Sequence, residues 1–423
     1  MSHHDVPLLS APEPGPTEEA CLLPLSAEPA TWPEAVTALA HPLNAPTPTT
    51  MAELTTLRVG GPIGSYAQTT TEDELIEAVR EADDAGTPLL VVGGGSNILA
   101  SDAGFDGLVV RDARQEVTLV SDSSCGGVEV TATAGTAWDD LVRQAIASDW
   151  GGFAPLSGIP GTVGAVPVQN VGAYGTEVAE LLGSVSAWDR LRQRRVHLPL
   201  ADLHLAYRDS DLKRSLTNAS VGGGRTWGPT GRWVVLSATF HVRQDSLSAP
   251  IAYAQLAGAL GVEPGQRVDA RAVREAVLEL RASKGMVLDD ADHDTWSAGS
   301  FFTNPILTSE QAAALPEEAP RYPVTDHSRK VATRQAPVVE GLVKTSAAWL
   351  IDHAGFSKGD ALAADGAVGG GASASLSTKH VLALTNRGSA TAADLAALRD
   401  EVIAGVEAAF GVTLVPEPVA VGF

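Results

Sequence analysis

Residues 88–99 read PLLVVGGGSNIL. A proline, four aliphatic residues and three consecutive glycines describe a short buried strand that ends in a sharp turn. Gly93, Gly94 and Gly95 carry no Cβ, so several backbone N–H groups can converge on one anionic group. Ser96 and Asn97 add side-chain donors. The stretch is not G-x-G-x-x-G and no helix clearly follows it, so an ordinary Rossmann site is disfavoured. Taken alone, it fits a tight strand-to-loop turn as well as a phosphate cradle. A second block, LSGIPGTVGA at 156–165, shifts that balance. It supplies Gly158, Ile159, Pro160, Gly161, Gly164 and Ala165 in a stiff loop with few side chains. Two cradles in one domain suit an extended ligand with a pyrophosphate, such as a flavin dinucleotide.

Around these blocks, helix and strand signals mix without strict alternation, which predicts an α+β protein. Thr71 and Glu74 form a capping box, Leu75, Val79 and Ala82 follow on one helical face, and Gly86 ends the helix. Strands are expected at 107–111, 116–120, 127–133, 184–188, 194–198, 233–242 and 381–385. Helices are expected after Thr136, after Asp269, over 344–355 and after Thr391. Residues 1–50 lack periodicity and read as a disordered extension, with a short helical turn at 33–40. Residues 214–231 read as a surface loop or local insertion. The expected domains are 1–50, 51–245 and 246–423.

Composition narrows the partners. The net charge is −22, from 29 basic and 51 acidic residues. Nucleic acid and anionic membranes are therefore disfavoured, because counterion release needs a basic surface. An anionic ligand would need local cations or helix N-termini to overcome that field. Two cysteines, Cys21 and Cys125, exclude a disulfide framework and a multi-cysteine metal site. The N-terminus shows no signal-peptide pattern, so a cytoplasmic location is expected. The acidic run DDADHDTW at 289–296, with His293 inside it, lacks an oxygen-ligand loop pattern and is read as a solvated loop without a metal.

The chain resembles the UDP-N-acetylenolpyruvoylglucosamine reductases, flavin enzymes of bacterial peptidoglycan precursor synthesis. The matching segments are TLRVGGP (56–62), GGGSNIL (93–99), SGIPGTVGA (157–165), QNVGAYG (169–175), YRDSDLK (207–213), AGSFFTNP (298–305), AAWLIDHAGF (347–356) and LVPEP (414–418). They run in family order from about residue 51 to the end. GGGSN is shared with the wider flavin fold typified by p-cresol methylhydroxylase and vanillyl-alcohol oxidase, whereas AGSFFTNP and YRDS are specific to the reductase. The resemblance implies an FAD-binding domain of that type, a C-terminal α+β substrate domain, and FAD and NADPH as cofactors. It also implies a soluble, monomeric enzyme that takes a UDP-sugar.

Residue roles follow from the resemblance. Ser300 matches the proton donor to C2 of the enolpyruvyl group, with Phe301 and Phe302 packing its loop. Arg208 matches the arginine that holds the substrate carboxylate, where its bland alternative is an ion pair with Asp209 or another carboxylate. Glu417 matches the glutamate that assists the same step, although Pro418 stands where the family more often has a valine-type residue. The FAD site would draw on Arg58, Gly93, Gly94, Gly95, Ser96, Asn97, Gly158, Ile159, Pro160, Gly161, Gly164 and Ala165. Lys284 matches the lysine on the substrate diphosphate, and Tyr253 the tyrosine of a closing loop that marks one subclass. Tyr174, Asn304 and His380 are further substrate candidates, and Lys358 a weaker one. Two rival readings share part of this pattern. A flavin oxidase of the wider fold would consume oxygen and does not need AGSFFTNP. A sugar-nucleotide sensor would show a broken catalytic set, yet Ser300, Arg208 and Glu417 are all present.

Overall fold

The computed structural model of the chain describes residues 21–24, 36, 39–123, 127–325, 337–361 and 373–423. The apolar run before the glycines forms the strand Leu89–Val91, at one edge of a three-stranded parallel sheet. Phe105–Asp112 lies at its centre and Ile63–Thr69 at its other edge. Parallel strands need a crossover, and the helix Glu72–Ala85 carries the chain from one edge strand, Ile63–Thr69, to the other, Leu89–Val91. Thr71 accepts from the Glu74 N–H, the Glu74 side chain reaches back, and Gly86 closes the helix at φ 67°. Leu75 and Val79 bury their face against Val110 and Leu236.

A second sheet is antiparallel throughout, in the order Cys21–Pro24, Glu116–Ser123, Gly127–Thr133, Trp233–Val242, Leu182–Asp189, Arg194–Pro199. In GVEVTAT every second residue is buried, as a strand with one face on a core requires. The helix Trp138–Ala147 covers that face, and the rings of Trp138, Phe153 and Phe240 meet at 5.6–6.0 Å. The same core takes Ile251 and Leu256, and Val273 and Val277 of the helix Ala270–Ala282. Packing thus carries the first body past residue 245, where the sequence suggests a boundary. A separate core runs from Ala298 to Leu414 and recruits Leu57, Val59 and Leu99 from the other end of the chain. It holds the helices Ala347–His353 and Ala392–Phe410, the latter capped by Thr391 and ended by Gly411. The chain then returns, and Val419–Val421 pairs in parallel with Ile98–Ala100, directly after GGGSN.

Several expectations are corrected. Within the presumed disordered extension, Cys21–Pro24 adds a strand to the edge of the antiparallel sheet. Residues 39–50 are ordered by Ala40 N–H donating to the Gly94 carbonyl and by a bridge from Thr50 to Pro62. Residues 36, 39 and 40 are not helical, and the rest of 33–40 lies outside the described residues, as does Cys125. Thr136 does not cap its helix, because its hydroxyl is engaged by Glu116 and Thr133, and Gln115 accepts from the Ala137 N–H instead. The strand expected at 381–385 is displaced to Leu384–Asn386. The run 289–296 is only partly solvated: buried Asp294 accepts from both the backbone and the hydroxyl of Thr378, and from Arg387. Among the described residues, no helix is long and apolar enough to cross a membrane.

Candidate active site

The parallel sheet, the second glycine block and the C-terminal core meet around one cavity of about 500 Å³. The two glycine blocks form a single cradle, because Ser96 Oγ donates to the Pro160 carbonyl at 3.0 Å. Gly95 sits at φ +69°, and a Cβ there would lie 1.7 Å from the Leu54 carbonyl oxygen. A Cβ on Gly93 would lie 2.5 Å from Thr162 Oγ1. At both positions the protein's own packing leaves no room for a side chain, so the backbone that lines the cavity there is glycine. Gly93 to Asn97, Ile159, Pro160, Gly161, Gly164 and Ala165 all line it. Gly158 does not. It fixes the loop from behind: its N–H donates to Asp139 Oδ1 at 2.6 Å and its carbonyl accepts from Arg281. Asp139 is in turn held by two bonds from Arg274 at 2.8 and 2.7 Å, with both side chains fully buried.

Ser300 stands at the other end of the cavity. Gly299 turns the chain at φ +71°, and Phe301 and Phe302 are buried with their rings edge to face at 5.4 Å. The segment after Ser300 is clamped from both sides. Phe301 N–H donates to Leu382, and the Phe301 carbonyl accepts from Glu417 N–H, both at 2.8 Å. Phe302 bridges to Pro416. That pairing brings Glu417 and Ser300 to the same cavity across more than a hundred residues of sequence. Ser300 Oγ has no hydrogen-bond partner among the described residues, so the serine is not spent on capping the turn.

Arg208 faces Glu417, with Nε 3.4 Å from Oε1. Its Nη2 donates to the Gly172 carbonyl at 2.6 Å. Of the alternative ion pairs, the one with Asp209 is not formed, because Asp209 is taken by Arg214 at 2.7 Å, whereas the one with another carboxylate is formed, with Glu417. Arg208, Tyr207 and Lys344 also stack, since both cations lie over the Tyr207 ring.

At the cavity mouth Tyr174 and Tyr253 meet edge to face at 5.7 Å. Tyr253 is exposed rather than core, at the start of the helix Ala254–Leu260. Lys284 Nζ lies 5.9 Å from the Tyr174 ring and donates to Gln255. Burial, then the neighbouring Arg281, pulls the Lys284 pKa down. His380 lines the same wall. Burial, with Lys284 and Lys358 nearby, pushes its pKa down to about 4, so it is neutral at pH 7. These cations answer the charge puzzle: a local positive field exists inside a chain of net charge −22.

Besides Gly158, three sequence-derived candidates, Arg58, Asn304 and Lys358, do not line the cavity. Arg58 pairs with Asp290 and lies over the Trp296 ring at 4.2 Å. Asn304 Oδ1 accepts from Ala347 N–H, which makes it a support for the start of the helix Ala347–His353. Other cavity residues escaped the sequence reading. Arg281, in the last turn of the helix Ala270–Ala282, lines the cavity together with Lys284, which lies just past the end of that helix. Gln169 lines the cavity at 8% exposure, and its buried Nε2 has no partner among the described residues. Leu216, Pro229 and Thr230, from the presumed surface loop, form the wall at the sheet end. Bare glycine backbone, an orphaned amide and flanking cations together fit a phosphate-bearing dinucleotide.

Comparison with known proteins agrees. The FAD binding domain profile matches residues 64–190, and the profile of the UDP-N-acetylenolpyruvoylglucosamine reductase C-terminal domain matches residues 290–421. A UDP-N-acetylenolpyruvoylglucosamine reductase of Cutibacterium acnes is 49% identical over 372 residues, covering 88% of this chain and 89% of the relative. One of Streptomyces coelicolor is 49% identical over 374 residues, with the same coverage. The crystal structure of UDP-N-acetylenolpyruvylglucosamine reductase from Thermus caldophilus shares the fold, with a TM-score of 0.52 at 21% identity, covering 88% of this chain and 97% of that one.

Proposed function

The chain belongs to the UDP-N-acetylenolpyruvoylglucosamine reductase family, and from that premise we propose that it reduces UDP-N-acetylenolpyruvoylglucosamine to UDP-N-acetylmuramate with electrons from NADPH, as a cytoplasmic monomer in peptidoglycan precursor synthesis. It is a flavin-dependent oxidoreductase with an FAD-binding domain. The observation that carries the proposal is the convergence of Ser300, Arg208 and Glu417 on the cavity that the two glycine blocks also line.

Bound in that cavity, FAD would supply the hydride chemistry that relays an electron pair from NADPH to C3 of the enolpyruvyl group. The glycine backbone of 93–95 and 161 and the Gln169 amide are the groups that would hold it. Reduction at C3 leaves negative charge on C2, spread into the substrate carboxylate. Arg208 is the cation placed to pair with that carboxylate, where a charge-assisted bond strengthens as charge develops. Ser300 holds its proton at Oγ, free of protein partners, for transfer to C2. A serine hydroxyl is a weak acid, but a carbanion-like enolate is a strong base, so position decides the transfer. Glu417, brought alongside by its N–H bond to the Phe301 carbonyl and lying 3.4 Å from Arg208, would assist the same step. Lys284, Tyr174, Tyr253 and His380 surround the mouth, where the diphosphate would lie, with Tyr253 exposed and free to close over it.

Anaerobic stopped-flow tests this reading. The purified protein should be yellow, NADPH should bleach it, and the enolpyruvyl sugar nucleotide should restore the colour. Ser300→Ala should bleach normally and recover far more slowly. Recovery by oxygen but not by the sugar nucleotide sinks the proposal in favour of an oxidase. Initial rates should fit a ping-pong pattern, and a ternary complex counts against a shared face for the two substrates.

A further inference from the structure

The motif YRDSDLK contains one cation that none of the roles above uses. Ser210 caps the short helix Asp211–Arg214 by accepting from Lys213 N–H, and its hydroxyl donates to the Val168 carbonyl. Asp209 is occupied by Arg214. Lys213 runs back beneath Arg208, and its Nζ donates to the Arg208 carbonyl at 3.3 Å. The ammonium is partly buried, does not line the cavity, and has no carboxylate within ion-pair distance among the described residues. Burial pulls its pKa down, and the charges of Glu417 and Asp209 oppose that shift.

The carbonyl it grips belongs to a strained residue. Arg208 has φ +55°, a left-handed conformation that a side chain with a Cβ adopts only when its surroundings impose it. Backbone bonds between Ala206 and Asp209 close the turn on one side, and the Arg208 guanidinium is tied to Gly172 and Glu417 on the other. Taking a cation even partly out of water is costly unless its interactions repay it, and here its hydrogen bond goes to the Arg208 carbonyl while Glu417 and Asp209 supply the nearby negative charge. Resting on the reductase reading, we propose that Lys213 is a positioning residue. It fixes the Arg208 backbone so that the guanidinium meets the substrate carboxylate, and it adds a second positive charge behind the Arg208–Glu417 pair.

The test is a double-mutant cycle on the holoprotein, reading each half of the reaction separately. Lys213→Met should retain flavin and bleach with NADPH at the wild-type rate, while reoxidation by the enolpyruvyl sugar nucleotide slows ~30-fold, the scale of one lost charge-assisted bond. Lys213→Arg, which keeps a donor and the charge, should recover most of that rate. In an Arg208→Met background, Lys213→Met should have almost no further effect, because its contribution passes through Arg208. Additive losses in the two backgrounds overturn the proposal, as does a Lys213→Met reoxidation rate within twofold of wild type. Equal losses in flavin retention, bleaching and reoxidation assign Lys213 to the fold and also overturn it. If the wild-type flavin is not reoxidised by the sugar nucleotide at all, the reductase reading fails first, and this inference with it.

Discussion

Replacing Asp139 by Asn leaves the shape of the site almost unchanged and removes one charge. Asp139 lies under the second glycine block at 1% exposure, and Arg274 at 0%. The carboxylate receives two guanidinium bonds at 2.8 and 2.7 Å and the Gly158 N–H at 2.6 Å. Arg274 Nε has no partner of its own, so the guanidinium depends on this carboxylate. Breaking such a pair from one side strands a buried charge, which typically costs about 3–5 kcal/mol. The neighbouring Asp140 provides an internal control. It is one third exposed, pairs with Arg143 at 3.3 Å, and should change stability by only about 0–1 kcal/mol when made Asn. Denaturant midpoints followed by tryptophan fluorescence, with flavin in excess, compare the two. Replacing both partners by apolar residues, Asp139→Leu with Arg274→Met, should restore much of the loss, while flavin affinity stays reduced because Gly158 loses its anchor. A loss below about 1 kcal/mol in Asp139→Asn refutes the reasoning, since it means water or rearrangement reaches Arg274.

Three further outcomes follow from the geometry. Gly95→Ala should yield colourless protein with flavin affinity reduced at least ~10-fold, because the added methyl meets the Leu54 carbonyl in a left-handed backbone; a normally yellow protein contradicts the cradle. Arg208→Lys should slow reoxidation by substrate ~10–100-fold with bleaching unchanged, since an ammonium cannot reproduce the planar fork, and stopped-flow of the two half-reactions reads the difference. His380 has a folded pKa of about 4 against about 6.5 unfolded, so the unfolded chain binds more protons between those values. Stability should therefore fall as pH drops from about 6.5 towards 4. His380→Asn should flatten that part of the profile by on the order of 2–3 kcal/mol, and an unchanged slope removes the buried-histidine account.

Local signals were legible because their physics is local. The Thr71–Glu74 box, the Gly86 and Gly411 stops and the alternation of GVEVTAT each depend on a few neighbouring residues. The glycine cradle and the Gly–Ser–Phe–Phe turn were readable for the same reason. What stayed hidden was every partner supplied from far along the chain. Asn304 has the chemistry of a ligand contact, yet its oxygen serves a helix that begins 43 residues later. Arg58 sits in a matching motif, yet it is drawn away by Asp290, 232 residues on. The helix Ala270–Ala282 shares an apolar core with strands that no periodicity links to it. Even the loop 214–231, polar and glycine-rich in sequence, buries Trp227 between Arg190 and Arg225 and so becomes a wall.

The parallel pairing of Val419–Val421 with Ile98–Ala100 sets an order of events at the ribosome. Asn97 and Glu417, joined by a hydrogen bond in the finished protein, are separated by 320 residues of chain. Domains usually fold as they emerge, at ~5–20 residues per second, so Ile98–Ala100 waits on the order of tens of seconds for its partner strand. Through that interval the edge beside the glycine loop lies open, and the acid that completes the reactive end has not been made. A nascent chain can thus acquire its phosphate cradle well before it can do chemistry. Glu417 reaches its place only with the strand that pairs with Ile98–Ala100.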